Sequence, residues 1–237
     1  MSRLFNCKQF SLSDEGCGMK IGTDAVLLGA WTDTTNCKSI LDIGTGSGII
    51  ALMLAQKSSA IIDAVEIDAT AAVTAQNNFE NSPWKSRLHI NNMSLNEFLK
   101  INSRTYDLIV CNPPFFNNSL LSDDAGKNQA KHNVSLTYKE LVYTASLLLN
   151  PEGSLSVILP FDEKKAFSDI CQLHNLKCIK TTEIIPVIDK KTNRILMEWL
   201  KTESAINCFP NTLTIRQDKD TYTIDYLEFM KEYLLIS

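Results

Sequence analysis

A chain of 237 residues with 44% apolar side chains is long enough for one large α/β domain and too apolar to be disordered. Its net charge of −4 excludes a general nucleic-acid coat, though not a local basic patch. Apolar stretches such as Ile49 to Ala55 are too short to span a bilayer, and Met1 to Asn6 do not read as a signal peptide. Seven cysteines without a CxxC, and three scattered histidines, exclude zinc-type spacing and point to reduced thiols in a cytosol.

Residues 1–22 form a polar-aromatic lead-in around Phe5, Phe10 and Met19, broken by Gly16 and Gly18. Thr23 is the expected N-cap of a short apolar helix running to Trp31. A regular alternation then begins. Strands are expected at Ser39–Ile43, Ile61–Ile67, Arg87–Asn91 and Tyr106–Cys111, with helices at Ser47–Gln56, Ala69–Glu80 and Ser94–Lys100 between them. Residues 116–135 are polar and aperiodic: a lid or substrate-clamping loop on one reading, a disordered insert on the other. A helix over Thr137–Leu149 closed by the turn residues Asn150-Pro151-Glu152-Gly153, a strand over Ser154–Leu159, a helix over Glu163–Leu173 and strands over Lys177–Ile185 and Arg194–Lys201 follow. Thr212–Ile215 and Tyr222–Leu235 read as a peripheral strand and a closing helix. Alternating strand and helix means a parallel sheet with right-handed crossovers. The expected organisation is one domain: a covering segment over 1–35, the sheet-and-helix core over 36–202 and an extension over 203–237.

Three strand ends carry chemistry. The first is Asp42-Ile43-Gly44-Thr45-Gly46-Ser47-Gly48. Glycines after a first strand let a ligand approach the backbone, with a helix N-terminus beyond. A nicotinamide-binding turn would read G-x-G-x-x-G; here the third glycine comes one position early. Asp42 would sit badly beside a pyrophosphate and suits a cationic or ammonium-bearing ligand, such as S-adenosyl-methionine. The second is Glu66-Ile67-Asp68, where Glu66 is placed to accept from ribose hydroxyls and Asp68 to cap the next helix. The third is Asn112-Pro113-Pro114-Phe115 after a buried strand. Two prolines stop the ladder and stiffen a turn, which presents the Asn112 amide, the Pro113 carbonyl and the Phe115 ring. Two acceptors and a ring can hold a planar base by its exocyclic amino group. An ordinary proline turn is the bland alternative. Cys111 reads as core packing rather than as a nucleophile.

D-x-G-x-G-x-G, E-x-D and N-P-P-F in this order resemble the class I S-adenosyl-methionine-dependent methyltransferases. Lys8-Gln9-Phe10, the run Cys17 to Trp31 and Asn81-Ser82-Pro83-Trp84 resemble, more narrowly, the bacterial tRNA1(Val) (adenine-37-N6)-methyltransferase family. The resemblance implies a Rossmann-like, seven-stranded, mostly parallel sheet with the last strand antiparallel and helices on both faces. It implies N6-methyladenosine beside the anticodon as product, S-adenosyl-methionine as cofactor and tRNA as partner. By resemblance, Lys20 and Thr23 line the methionine end of the cofactor site, with Gly44, Thr45, Gly46, Gly48, Ile67 and Asn112 around the rest. One departure matters. Family members often carry an acid after the third strand, and here Ser94 stands in its place, with Asn92 as a possible substitute acceptor. RNA-contact candidates are Lys8, Lys127, Lys131, Lys190, Lys191 and Arg194; Lys20 is another. No metal and no membrane are expected, and the chain is expected to act as a cytoplasmic monomer. Rival readings are a protein-glutamine methyltransferase, an rRNA guanine-N2 methyltransferase and, outside the class, a nicotinamide-dependent oxidoreductase.

Overall fold

A computed structural model describes residues 4–114 and 136–235. Phe115, Lys127, Lys131 and the expected clamping loop lie outside the described residues. A two-stranded hairpin, β1 (Phe5–Asn6) and β2 (Ser11–Leu12), precedes helix α1 (Thr23–Trp31). Then come β3 (Ser39–Ile43), α2 (Ile49–Lys57), β4 (Ile61–Glu66), α3 (Ala69–Glu80), β5 (Leu88–Asn92), α4 (Leu95–Ile101) and β6 (Tyr106–Cys111). The second half is α5 (Tyr138–Leu148), β7 (Leu149–Pro160), α6 (Lys164–Leu173), β8 (Leu176–Val187), β9 (Arg194–Lys201), β10 (Phe209–Arg216) and α7 (Ile224–Met230).

The main sheet runs β10-β8-β9-β7-β6-β3-β4-β5. Every neighbouring pair is parallel except those made by β9, which is antiparallel to β7 and β8. The sheet therefore has eight strands where seven were expected. The stretch that reads as a peripheral strand, β10, extends the edge beside β8 rather than standing apart.

Both faces are covered, which is why the central strands are apolar on both sides. Ile40, Leu41, Leu108, Ile109 and Val110 are fully buried. One core lies under α1, α2 and α3, the other under α4, α5 and α6. Helix α2 is buried from Ile49 to Ala55, so its sequence shows no polar face. It crosses α1 closely: a Cβ on Gly29 would lie 2.7 Å from the Met53 sulfur. Cutting Leu52 to Ala in such packing costs roughly 2–5 kcal/mol.

The lead-in is tied along α3. Asn78 exchanges hydrogen bonds with the Ser13 backbone, Thr74 Oγ donates to the Glu15 carbonyl, and a Cβ on Gly16 would touch Thr70. Ser13, Glu15 and Gly16 thus meet α3 successively closer to its start, so the lead-in climbs toward Asp68. At its other end, Cys7 bridges Leu234 and the Lys8 N–H donates to the Tyr233 carbonyl. Residues of the lead-in, the sheet and the C-terminal segment share one core.

Several expectations about element ends change: the closing helix spans Ile224–Met230 rather than Tyr222–Leu235, and α2 starts at Ile49 rather than Ser47. Helix α1 starts at Thr23 with Gly22 as N-cap and no side-chain cap, so Thr23 is its first residue and not its cap. Strand β7 begins at Leu149, not Ser154. Asn150-Pro151-Glu152-Gly153 does not end the chain's excursion in a turn; it enters the ladder through a register shift opposite Tyr106 and Leu108.

Candidate active site

Strand register brings the three motifs to one edge. Ile43 of β3 is the register partner of Val65 on one side and Cys111 on the other, and Glu66 is the partner of Asn92. Gly44, Glu66, Asn92 and Asn112 therefore stand at the carboxyl ends of four adjacent strands. This is where open α/β sheets bind ligands.

The glycine turn needs its glycines for two different reasons. All three have positive φ: Gly44 at 70°, Gly46 at 57° and Gly48 at 83°. In front of Gly44 and Gly46 there is open space, with no heavy atom within 4 Å of an added Cβ. At Gly48 a Cβ would strike the Phe79 ring at 2.5 Å. The first two glycines leave room for a ligand; the third lets α3 close against the turn.

Acids hold this turn from behind. Asp42 is completely buried; its Oδ2 accepts from Thr45 Oγ at 2.6 Å and from the Ala51 N–H at 3.2 Å. It thus ties the strand end to the first turn of α2. Its Oδ1 has no hydrogen-bond partner among the described residues. Burial, reinforced by nearby Glu66, pushes its carboxyl from 3.8 up to about 7. Glu66 bridges forward: Oε2 accepts the Gly46 N–H and Oε1 the Asp68 N–H, both at 2.9 Å. Asp68 caps α3 by accepting the Ala71 N–H, as its position predicts. Ile67, between the two acids, presents 48% of its surface to solvent, an apolar plate beside polar groups.

Asn92 is exposed at the end of β5 and donates from its amide to the Glu66 carbonyl at 2.9 Å. Ser94 is N-cap of α4 in a reciprocal capping box: its hydroxyl donates to Glu97 Oε2 and accepts the Glu97 N–H. Its hydrogen and one lone pair are already engaged.

Asn112 and Pro113 leave the sheet where β6 ends. Pro113 is buried, Pro114 half-buried, and the Asn112 side-chain oxygen is buried with no partner among the described residues. An orphaned buried acceptor is costly unless a ligand supplies the donor. Asn112 borders a cavity of about 360 Å³ whose walls include Lys20, Thr23, Asp24, Pro186 and Arg194. Asp24 and Arg194 meet across it, Nε to Oδ2 at 2.8 Å. Cys111 is buried behind the turn, and burial holds its thiol well above the ordinary range, so it is no nucleophile.

Of the cationic candidates, Arg194 lies at the cavity and exposed Lys190 and Lys191 lie on the same β8–β9 hairpin. Lys20 donates to the Asp14 carbonyl and carboxylate in the lead-in. Lys8 is apart from them, at the Tyr233 end of the lead-in. Among the described residues no group of His, Cys, Asp and Glu converges to hold a metal, and no helix is long and apolar enough to cross a membrane.

Two contributors escape a reading of the sequence. Asn78 looks like a surface residue of α3, yet its amide joins the Ser13 and Ser47 carbonyls and so pins lead-in and glycine turn together. Asp24 and Arg194 are 170 residues apart, and nothing local in the sequence marks them as a pair.

The chain resembles known proteins along nearly its whole length. Residues 17–170 match the family described as methyltransferase small domain. Over 98% of its length the chain is 42% identical to a tRNA1(Val) (adenine(37)-N6)-methyltransferase of Flavobacterium psychrophilum, covering 99% of that protein. Proteins of the same name from Trichodesmium erythraeum and Parabacteroides distasonis are 40% and 38% identical, each with 97% of its length covered. The chain belongs to the tRNA1(Val) (adenine(37)-N6)-methyltransferase family. Like other tRNA1(Val) (adenine(37)-N6)-methyltransferases, it is an enzyme of the methyltransferase class, which removes the oxidoreductase reading. The fold is shared more widely. A solved structure from Agrobacterium tumefaciens, described as a predicted O-methyltransferase, superposes with TM-score 0.69 at 17% identity, covering 89% of this chain and 96% of that one. A methyltransferase from Pyrococcus furiosus gives 0.55 at 19% identity, covering 79% and 90%.

Proposed function

We propose that this enzyme transfers a methyl group from S-adenosyl-methionine to the exocyclic N6 of adenosine 37 in tRNA1(Val), acting in the cytoplasm as a monomer. The buried Asn112 oxygen, without a partner among the described residues and beside an open glycine turn, carries the reading. It supports an amino-group donor as the missing partner, and the family name supports adenine as the owner of that amino group.

The residues present suit the cofactor. Gly44 and Gly46 leave their backbone open to it, with Thr45 and Gly48 holding the turn. Glu66 retains lone pairs for ribose hydroxyls, exposed Ile67 offers an apolar plate for a purine, and Asn92, beside Ser94, offers a side-chain acceptor. Lys20 and Thr23 would border the methionine end, and the buried Asp42 carboxyl under the turn would suit the cofactor's ammonium group. When bound, S-adenosyl-methionine supplies an electrophilic methyl on a sulfonium.

The protein's own part is positioning. The adenine N6 lone pair is delocalised into the ring and is a poor nucleophile. The Asn112 oxygen and the Pro113 carbonyl accept its two hydrogens and draw the nitrogen toward tetrahedral geometry, while Pro114 stiffens the turn. Phe115 supplies the stacking ring, worth ~1–3 kcal/mol. The base must leave its loop stack to enter. No strong base is required, because the nitrogen becomes acidic once alkylated; Asp24, which lines the same cavity as Asn112, is bound to Arg194. Lys190, Lys191 and Arg194 are the described residues placed to meet phosphates near Asn112, with Lys127 and Lys131 as further candidates. Lys8 contacts RNA only if the tRNA body reaches the far end of the lead-in.

The test is transfer of labelled methyl to an unmodified tRNA1(Val) transcript. Label should appear with adenosine at position 37 and vanish when guanosine replaces it. Label persisting in that transcript would refute the assignment of the target.

A further inference from the structure

Far from the glycine turn, two thiols face each other. Cys178 is the third residue of β8 and Cys208 immediately precedes β10. Their sulfurs are 3.1 Å apart across a sequence gap of 30 residues, and both are free. Cys208 is exposed and Cys178 half-buried, so one member is reachable and the other waits behind it. The link between β9 and β10 is held in place: Lys177 Nζ donates to the Glu203 and Ser204 carbonyls at 2.9 and 2.8 Å. Register contributes as well, since the β8 ladder is shifted between Cys178 and Lys180, beside the point where Phe209 pairs with Lys180. Burial pushes the Cys178 thiol up, so it stays protonated until a partner sulfur is presented to it.

We propose that Cys178 and Cys208 form a dithiol oxidation site whose co-substrate is a small soluble disulfide of the glutathione type, and whose product is a disulfide clasping β10 to β8. The Cys208 thiolate attacks the small disulfide; that S–S bond breaks and one thiolate leaves with the electron pair. The Cys178 thiol then loses its proton and attacks the Cys208 sulfur, releasing the second thiolate. Two protein thiols lose two electrons and two protons, and the small disulfide is reduced to two thiols. The clasp sits at the amino end of β8, opposite the edge that carries Asn112, and does not depend on the methyl-transfer reading. Cys171, also near Cys178, is completely buried and cannot start the exchange.

The experiment exposes the full-length native enzyme to excess oxidised glutathione, removes the glutathione, alkylates one portion in denaturant for intact mass and peptide map, and reads the thermal midpoint of the other. The expected result is loss of two alkylatable thiols, a Cys178–Cys208 peptide that separates on reduction, and a midpoint raised by about 5 °C or more. Cys208→Ser should keep its remaining six thiols and its midpoint. Cys178→Ala should stop at a glutathione adduct on Cys208. Seven alkylatable thiols after exposure, an unresolved adduct on the wild type, or a Cys171–Cys178 link would each overturn the proposal.

Discussion

Glu66 accepts the Gly46 N–H at 2.9 Å across 20 residues of sequence, so the acid ending β4 holds the turn that ends β3. One carboxylate thereby ties the ends of β3 and β4 together, and under the proposed function its remaining lone pairs would meet the cofactor's ribose hydroxyls. Glu66→Ala should weaken S-adenosyl-methionine binding by roughly 10–100-fold, the loss expected for charge-assisted hydrogen bonds of ~1.5–3 kcal/mol. Titration calorimetry checks this. An unchanged dissociation constant would separate Glu66 from the cofactor.

The glycines should divide into two kinds. Gly46→Ala meets open space and carries only the left-handed backbone cost of ~1–2 kcal/mol, so it should fold yet bind cofactor poorly. Gly48→Ala adds a collision with Phe79 and should lose a further ~1–3 kcal/mol of stability. Paired urea titrations and cofactor titrations decide it; equal stability of the two variants would contradict the division.

Asp42 should give the enzyme a pH-dependent stability. Its folded carboxyl is raised by burial to about 7, so the stability it contributes is complete below about pH 4 and is lost as pH rises through about 7. Three pH units at ~1.36 kcal/mol each make the loss about 4 kcal/mol. Asp42→Asn should flatten urea midpoints over that interval. A variant that retains the wild-type slope would place the titrating group elsewhere.

Ser94 should matter to folding more than to the cofactor. Its hydroxyl is engaged in the α4 capping box, so Ser94→Ala should cost ~1 kcal/mol of stability and change cofactor affinity less than about threefold. Asn92→Ala should reverse the pattern, weakening the cofactor with little loss of stability. A tenfold affinity loss in Ser94→Ala would make the serine a direct contact.

Lys190→Ala and Lys191→Ala should weaken tRNA binding, each lowering the salt slope by about 1, and leave cofactor binding unchanged. Filter binding across a salt series reads this. An unaltered slope would move the RNA path away from the β8–β9 hairpin.

Much of this architecture is legible in the sequence. Strands β3, β6 and β9 and helix α3 fall where apolar runs and an alanine-rich stretch put them, because each is decided by local pattern. The Asn-Pro-Gly cluster at 150–153 misleads, since turn-forming residues can also enter a strand through an irregular register with Glu152 at positive φ. Thr23 misleads for a related reason: a cap-type residue beside a glycine leaves two possible helix starts. The motif acids are visible, but their partners are not. That Asp42 braces α2, that Asn78 joins lead-in to turn and that Asp24 meets Arg194 all depend on contacts between distant segments.

The most direct measurement of the central claim is nucleoside mass spectrometry of tRNA1(Val) from cells lacking the gene, complemented with wild type or with Asn112→Ala. N6-methyladenosine at position 37 should be restored by the wild type and absent with Asn112→Ala. Full restoration by the variant, or a position 37 unaffected by loss of the gene, would contradict it.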